Sequence, residues 1–383
     1  MKIIHIINSL NKGGAESNLF RLCKFHKKKY KNNIDIVILT LINNGYYQNQ
    51  LKKIGIKVFS LDLTIKSGFF LFIKKIFKLR KLVIDQNPDI IQSWMYHSNF
   101  VSLFIPKNFY NKLFWNIRHS ELNLKISKKM TIIISIICGF FSKIVPKKII
   151  YCSEKSINFH EKNHFYSKNK TALIYNGYSE KIYMPINRLR KNFRKKYKIK
   201  KSDIIIGYAG RYARQKNISS ILIGFSKIVK NYNNVYLYMV GKDMNIENNE
   251  MIDYVKNLKI KNRVIFLKEQ KSLLEFYNGI DFLLLASHSE SFPNVVAESM
   301  LCSTPVLSSD AGCVKKIIGN SGFVMANNDY HSIFKNLKKT INFFKSKKKK
   351  NEWKALKKKT RLQIKKNFSI QNMASSYIHN WIL

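Results

Sequence analysis

The stretch from Asp281 to Gly312, DFLLLASHSESFPNVVAESMLCSTPVLSSDAG, restricts the fold of this chain more than any other. Phe282 to Ala286 is apolar at every position, the pattern of a strand buried in a parallel sheet. A polar turn follows from His288 to Ser291. Pro293 then stands where a helix begins, because its fixed φ suits the first turn. Val295, Val296, Ser299 and Met300 continue at helical spacing, and Pro305 to Ser309 reads as the next strand. Two acids mark this unit. Glu290 is in the loop at the carboxyl end of the strand. Glu298 lies in the helix, one turn past Asn294 and on the same face. Ligands of open α/β sheets bind outside the carboxyl ends of the strands. Both acids can therefore point into one cleft, beside a helix N-terminus that favours anions.

The same alternation fills the chain. In the first half, strands are expected at Lys2–Ile7, Ile34–Thr40, Lys57–Leu61, Ile90–Ser93, Leu113–Ile117, Ile149–Cys152 and Ala172–Tyr175, with helical stretches between most of them. In the second they are expected at Ile204–Tyr208, Val235–Val240, Val264–Leu267, the central stretch and Gly322–Met325. Such alternation specifies an α/β chain of doubly wound parallel sheets. From Tyr183 the chain turns strongly basic and apolar residues thin out, so an inter-domain linker is expected near 184–200. This gives Rossmann-like domains over 1–184 and 185–368. Ser369–Leu383 reads as an amphipathic helix that packs back on the first.

Four loops carry candidate site residues. Gly13 and Gly14 follow the first strand and allow close backbone approach to a ligand. Trp94–Asn99 and Arg118–Glu121 are polar clusters at strand ends, each with a histidine, His97 and His119. Arg211 and Lys216 flank the loop that opens the second half. A fork of guanidinium donors and a point charge suit a diphosphate there.

Composition narrows the setting. Five cysteines without a C-x-x-C pair argue for reduced thiols and a cytoplasmic location. Ile3–Ile7 is too short for the apolar core of a signal peptide. The formal charge is +47. Compositional bias toward Lys, Ile and Asn is one explanation. Attraction to an anionic membrane surface, as a peripheral protein on the inner face of the cytoplasmic membrane, is the other. No nucleic-acid-binding module is recognisable, so nucleic acid is not expected as a partner. Gly68–Ile84 and Met130–Phe141 mix apolar and basic residues or are flanked by lysines. Both are shorter than the roughly twenty residues of a bilayer span. They read as core helices or as interfacial helices on anionic lipid.

Gly13-Gly14-Ala15-Glu16, Trp94–Asn99, Asn176-Gly177, Gly210-Arg211 with Lys216-Asn217, Glu290-x7-Glu298 with Phe292-Pro293-Asn294, and Thr304–Gly312 occur in one order. In that set the chain resembles the retaining glycosyltransferases of family 4. The resemblance implies the GT-B architecture, two Rossmann-like domains facing a central cleft. It implies that Arg211 and Lys216 hold a nucleotide diphosphate, UDP being favoured, and that Glu298 takes ribose hydroxyls. Glu290 and His97 would be the catalytic pair beside the donor sugar. Gly13, Gly14 and the loop residues Phe292, Pro293, Asn294 and Val295 would complete the donor side. His119, Arg118 and Asn99 would stand on the acceptor side, toward a glycan or lipid-linked acceptor. The absence of a D-x-D motif fits transfer without a metal or any other cofactor. Ser291 replaces the family's frequent glycine, and Lys316 stands where an acid is common. The activity implied is hexosyl-type sugar transfer with retention, in synthesis of cell-surface polysaccharide or lipopolysaccharide. A nucleotide-sugar epimerase on the same scaffold and a basic membrane-binding protein without catalysis are the alternatives.

Overall fold

Strands such as Phe282–Leu285 expose no polar face, so helices have to cover both sides of the sheet that holds them. A computed structural model of the chain describes residues 1–43, 45–63, 68–122, 124 and 127–383. It consists of two compact units, Met1–Gly177 with Ile370–Leu383, and Tyr178–Ser369.

The first unit contains strands β1 (Lys2–Ile7), β2 (Asp35–Thr40), β3 (Lys57–Ser60), β4 (Ile90–Trp94), β5 (Leu113–Ile117), β6 (Lys148–Tyr151) and β7 (Thr171–Leu173). They alternate with helices α1 (Gly14–Tyr30), α2 (Gln48–Lys53), α3 (Phe69–Gln86), α4 (Met95–Ser102), α5 (Lys129–Phe141) and α6 (Glu154–Asn163). The second unit contains α7 (Asn187–Lys196), β8 (Ile204–Ala209), α8 (Ile218–Val229), β9 (Val235–Val240), α9 (Asn249–Asn257), β10 (Val264–Phe266), α10 (Leu274–Gly279) and β11 (Phe282–Leu285). It continues with α11 (Asn294–Leu301), β12 (Val306–Ser309), α12 (Val314–Ile318), β13 (Phe323–Met325), α13 (Tyr330–Lys345) and α14 (Lys350–Asn367). Helix α15 (Ile370–Ile382) closes the chain and belongs to the first unit.

Strand order is β3-β2-β1-β4-β5-β6-β7 in one sheet and β10-β9-β8-β11-β12-β13 in the other. Every pairing in both sheets is parallel. Each order reverses once, between β1 and β4 and between β8 and β11. At such a reversal the two neighbouring loops leave toward opposite faces and open a crevice at the carboxyl edge. These two places are where ligand-binding loops belong.

The basic stretch 184–200 is not a linker; most of it is α7. A buried acid explains this. Asp281 takes Arg190 at 2.6 Å, with Arg194 at 3.6 Å. Arg190 also donates to the carbonyls of Asn278, Gly279 and Ile280. Phe193 is buried between them, against a glycine at 279 where a Cβ would lie 2.1 Å from its ring. Charge that reads as solvated linker is thus a docking helix. The division between the units falls earlier, at Gly177–Tyr178.

Helix α15 lies on α1 and the lower face of the first sheet. Met373, Ala374, Tyr377 and Trp381 join one core with Leu19, Leu22, Phe114 and Ile150. Polar contacts fix its register. Trp381 donates to Gln92 at 3.0 Å, and the Tyr377 hydroxyl accepts from Asn116 at 2.5 Å and from Arg118. Tyr377→Phe removes the acceptor of the buried Asn116 amide and one acceptor of the half-buried Arg118, and should cost about 1–3 kcal/mol. Urea unfolding of the two proteins at equal pH measures this; a difference well under 1 kcal/mol would show that the hydroxyl does not hold the helix.

Three histidines of this unit are fully buried, His5, His26 and His160. Burial lowers their pKa values to about 3, 4 and 3 from 6.5. They stay neutral in the fold, whereas the unfolded chain protonates them below about pH 6.5. Their contribution is therefore present above pH 6.5 and lost as the pH falls toward 4. Each adds up to about 1.4 kcal/mol per pH unit to that loss. The unfolding free energy should fall between pH 7 and pH 5, and His160→Gln should flatten the slope whatever it does to the total. An unchanged slope would count against a neutral, buried His160.

Candidate functional site

In the second unit the reversal between β8 and β11 brings together the loop after Ala209 and the loop after Leu285. The β8 loop ends in a short 3₁₀ turn, Arg214–Lys216, and in Asn217, which has φ 56° and ψ 44°. Asparagine tolerates this left-handed conformation. Its side chain then donates to the carbonyls of Ala286 at 3.1 Å and Asn328 at 2.6 Å, tying the β8 loop to the end of β11.

The tie sets Lys216. Its ammonium pairs with Glu290 Oε1, which also accepts from the Ser287 hydroxyl at 2.8 Å. Both partners are largely buried, with side-chain exposures of 17% for Lys216 and 12% for Glu290. Arg211 stands exposed on the same loop. The β11 loop is gripped from three sides. The His288 amide donates to the Gln215 carbonyl at 2.9 Å, and the Gln215 amide donates to Ser289. Ser309 and Asn328 both donate to the Ser287 carbonyl, at 2.9 and 3.2 Å. Behind the loop the Cys313 amide and thiol donate to the Ser291 carbonyl at 3.2 and 3.0 Å.

Gly312 makes this approach possible. It has φ +65°, and a Cβ there would lie 1.9 Å from the Glu290 carbonyl oxygen. Nothing in the spacing of the motif singles it out; only the close approach does.

Glu298 is 8% exposed and accepts from the Tyr277 hydroxyl at 3.0 Å. Burial and the Glu298 charge hold that hydroxyl far above the ordinary tyrosine range. Helix α11 starts at Asn294, with Pro293 as its cap. Asn294 accepts from the Tyr178 hydroxyl, Phe292 stacks on Tyr178 at 6.1 Å, and Val295 is half-buried beside them. The sequence reading missed Ser287, Tyr277 and Gly312. Tyr208 was missed as well: its hydroxyl is buried beneath the β8 loop, and burial and Glu290 raise its pKa far above normal.

In the first unit the reversal lies between β1 and β4. Gly13 caps α1 with extended backbone, and Gly14 is its first residue. A Cβ at Gly13 would lie 2.2 Å from Glu16 Oε2, so the Glu16 carboxylate folds over the helix start. Burial raises its pKa. This helix end already carries an acid. Gly45 is as constrained, its Cβ position lying 2.3 Å from the Leu10 backbone.

The Trp94–Asn99 cluster is not a loop: strand β4 passes directly into α4. Met95 bears the change of direction at φ 72°, a strained conformation for a side chain with a Cβ. The helix sorts its polar residues. His97 points to the surface, its pKa lowered by desolvation and then by Lys128. Asn99 is fully buried and accepts from Ser93 at 2.6 Å, holding the helix to its strand. Tyr96, between them, meets the Nε2 of His160 at 2.7 Å, and its ring lies 5.7 Å from His119. His119 is exposed, and its carbonyl accepts from Ser156 at 2.5 Å. Arg118 turns inward. It donates to Asn116 at 2.7 Å, to Asn176 and to Tyr377, and lies 5.2 Å from the Trp94 ring. All these partners are neutral, and the guanidinium joins α15 to the sheet.

Lys216, Glu290, Ser287 and Gly312 therefore form one cluster, and Glu298 with Tyr277 a second, in the same unit. Among the described residues, no group of three or more His, Cys, Asp or Glu gathers as a metal site. No helix among them is long and apolar enough to cross a membrane.

Residues 190–362 match the family model described as "Glycosyl transferases group 1". The capsular polysaccharide biosynthesis glycosyltransferase CapM of Staphylococcus aureus is 28% identical over 166 residues, 43% of this chain and 42% of that protein. This chain thus aligns with less than half the length of that relative. CapH of Staphylococcus aureus, described likewise, is 25% identical over 317 residues, 81% of each chain. The crystal structure of Anabaena HepE in complex with UDP and glucose superposes with a TM-score of 0.80 at 17% identity, covering 99% of this chain and 98% of that one. The fold is therefore the GT-B type, with two Rossmann-like parallel-sheet units.

Gly312→Ala should push the Glu290 backbone out of place. We expect a loss of about 2–4 kcal/mol, from the strained φ and the forced shift together. Thermal unfolding of the variant checks this, and a midpoint within a degree of the parent would refute the close approach.

Proposed function

We propose that this protein is a glycosyltransferase that moves a hexosyl-type sugar, with retention, from a nucleotide sugar, UDP-linked by preference. The acceptor is a glycan or a lipid-linked sugar in cell-surface polysaccharide or lipopolysaccharide synthesis. The observation that carries this reading is the Lys216–Glu290–Ser287 cluster at the β8/β11 reversal, inside the segment matching the glycosyltransferase model. The capsular relatives support the pathway class, and the fold shared with a UDP-bound protein supports the donor class.

In this mechanism a diphosphate enters at the end of β8. Carrying more charge than one carboxylate, it competes with Glu290 for Lys216 and recruits the exposed Arg211. The two cations offset the charge that develops as the nucleotide leaves, in place of a metal. Glu298, held by Tyr277, takes the ribose hydroxyls. Glu290 and the backbone from Phe292 to Val295 attend the sugar, and His97 is the candidate catalytic partner from the first unit. Retention follows when the acceptor hydroxyl attacks from the face that the diphosphate leaves. Its proton then passes to the departing phosphate oxygen. The enzyme works as a peripheral protein on an anionic membrane surface on the cytoplasmic side.

A panel of nucleotide sugars with labelled acceptors tests this. Nucleotide release should require one donor. Lys216→Ala should lower kcat about 100-fold or more, by loss of one charge-stabilising donor. Glu298→Gln should weaken donor binding about tenfold. Folded protein that releases no nucleotide with any donor would overturn the proposal. Conversion of the donor sugar without an acceptor would point to an epimerase instead.

A further inference from the structure

Half of the large apolar side chains that stand exposed among the described residues lie on or against α3 and α5. Both helices cover one face of the first sheet, through Leu79, Val83 and Cys138. Their other faces are unusual. On α5 and just beyond it, Met130, Ile133, Phe140, Phe141 and Ile144 recur at helical spacing with exposures between 47% and 74%. The inward face of α5 cannot rotate to hide them. A Cβ on Gly139 would lie 1.6 Å from the His164 carbonyl, so the helix is pressed against that loop. Phe165 extends the stripe by stacking on Phe140 at 4.6 Å, and is 49% exposed at φ 63°. A bulky aromatic in left-handed backbone is strained, yet the Phe165 ring stands at the surface on Phe140. On α3, Phe70, Ile73, Phe77 and Ile84 repeat the pattern, Phe70 being 88% exposed.

Charge identifies the occupant. Lys128 and Lys129 stand at the start of α5 and Lys143 just past its end, and Lys74, Lys75, Lys78 and Lys81 lie along α3. Beside Phe165, Lys143, Lys168 and Lys170 line an open pocket of about 620 Å3. The acids nearby are few. Glu161 lines the pocket and accepts from Thr171 at 2.6 Å, and Asp85 sits in the last turn of α3. Protein interfaces are depleted in lysine, and a second copy would bring like charges together. Apolar side chains rimmed by lysine suit the boundary between lipid tails and anionic headgroups.

We propose that α3, α5 and Phe165 form a face that seats on an anionic bilayer, with Lys143, Lys168 and Lys170 taking a lipid headgroup phosphate. The inference deepens the proposed function by assigning the surface that meets the membrane. It rests on that reading only for the lipid-linked acceptor.

Flotation of the full chain with vesicles tests it. Vesicles of phosphatidylglycerol and phosphatidylcholine should carry the protein upward, and phosphatidylcholine alone should carry far less. Phe141→Ser with Ile144→Ser should lower partitioning about tenfold or more, from the apolar area lost. Lys168→Ala with Lys170→Ala should lower it about 30-fold, at about 1 kcal/mol per lysine. Lys347→Ala with Lys348→Ala, the same charge loss on the second unit, should change little. All variants should keep the parent's thermal midpoint and its shift by UDP. Three outcomes would overturn the proposal. They are no flotation by folded parent, an equal loss in the Lys347/Lys348 pair, and flotation indifferent to Phe141 and Ile144. Flotation without any UDP shift would support this face while removing the donor reading.

Discussion

A parallel strand cannot return directly to its neighbour, so each connection here crosses over through a helix. Every strand of a sheet then ends at the same edge. Where strand order reverses, two loops separate and leave room between them. In the second unit that reversal lies between β8 and β11, and it places the Arg211–Asn217 loop beside the Ser287–Pro293 loop. No side-chain contact creates this neighbourhood. Asn217, Gln215 and the Lys216–Glu290 pair refine a geometry that strand order has already imposed.

The refinement concerns rigidity. Glu290 is the one acid of the β11 loop, and it is held at both backbone and side chain. Its Oε1 receives Lys216 and Ser287, its carbonyl is pressed by Gly312, and the carbonyls before and after it are bound by Gln215 and Cys313. A carboxylate fixed before a ligand arrives costs little reorganisation when it acts. The first unit treats its ligand edge differently. Its helix start is covered by Glu16, Asn99 is spent on holding α4, and Arg118 is spent on α15. His97 on α4 and His119 in the loop after β5 remain at the surface, over the buried Tyr96–His160 pair.

Much of this was legible in the residues. Continuous apolar runs bounded by polar loops located the thirteen strands of the described residues within a residue or two, since burial on both faces leaves few other readings. The positions of Lys216, Glu290 and Glu298 followed from strand ends and helix spacing. What escaped was the use of polar residues inside the fold. Trp94–Asn99 reads as a loop because its polar residues give no sign that Ser93 donates to Asn99 and that Tyr96 meets the distant His160, which fix it as a helix. Nothing local to Arg118 announces its inward contacts, because its partners Asn176 and Tyr377 are 58 and 259 residues away. The 184–200 stretch looked like a linker because Asp281, the acid that orders its arginines, is equally remote. Long-range pairing of polar groups carries no local period.

The excess of positive charge has two parts that differ physically. With 69 basic and 22 acidic residues, cations outnumber carboxylates about three to one. On α13 and α14 the lysines surround well-buried apolar faces, with Ile333, Leu337, Ile341 and Ile364 fully covered. The exposed, unbridged lysines there are solvated and screened within about 10 Å by salt, while Lys365 pairs with Glu180. A compositional bias toward lysine would suffice for them. It also supplies isoleucine and phenylalanine, but a bias in composition has no means of lining those residues up on the outward face of α5. Nor does it explain Phe165 held outward in strained backbone beside three lysines. Orientation separates a basic chain from a basic surface, and in the first unit the apolar residues and the charge point the same way.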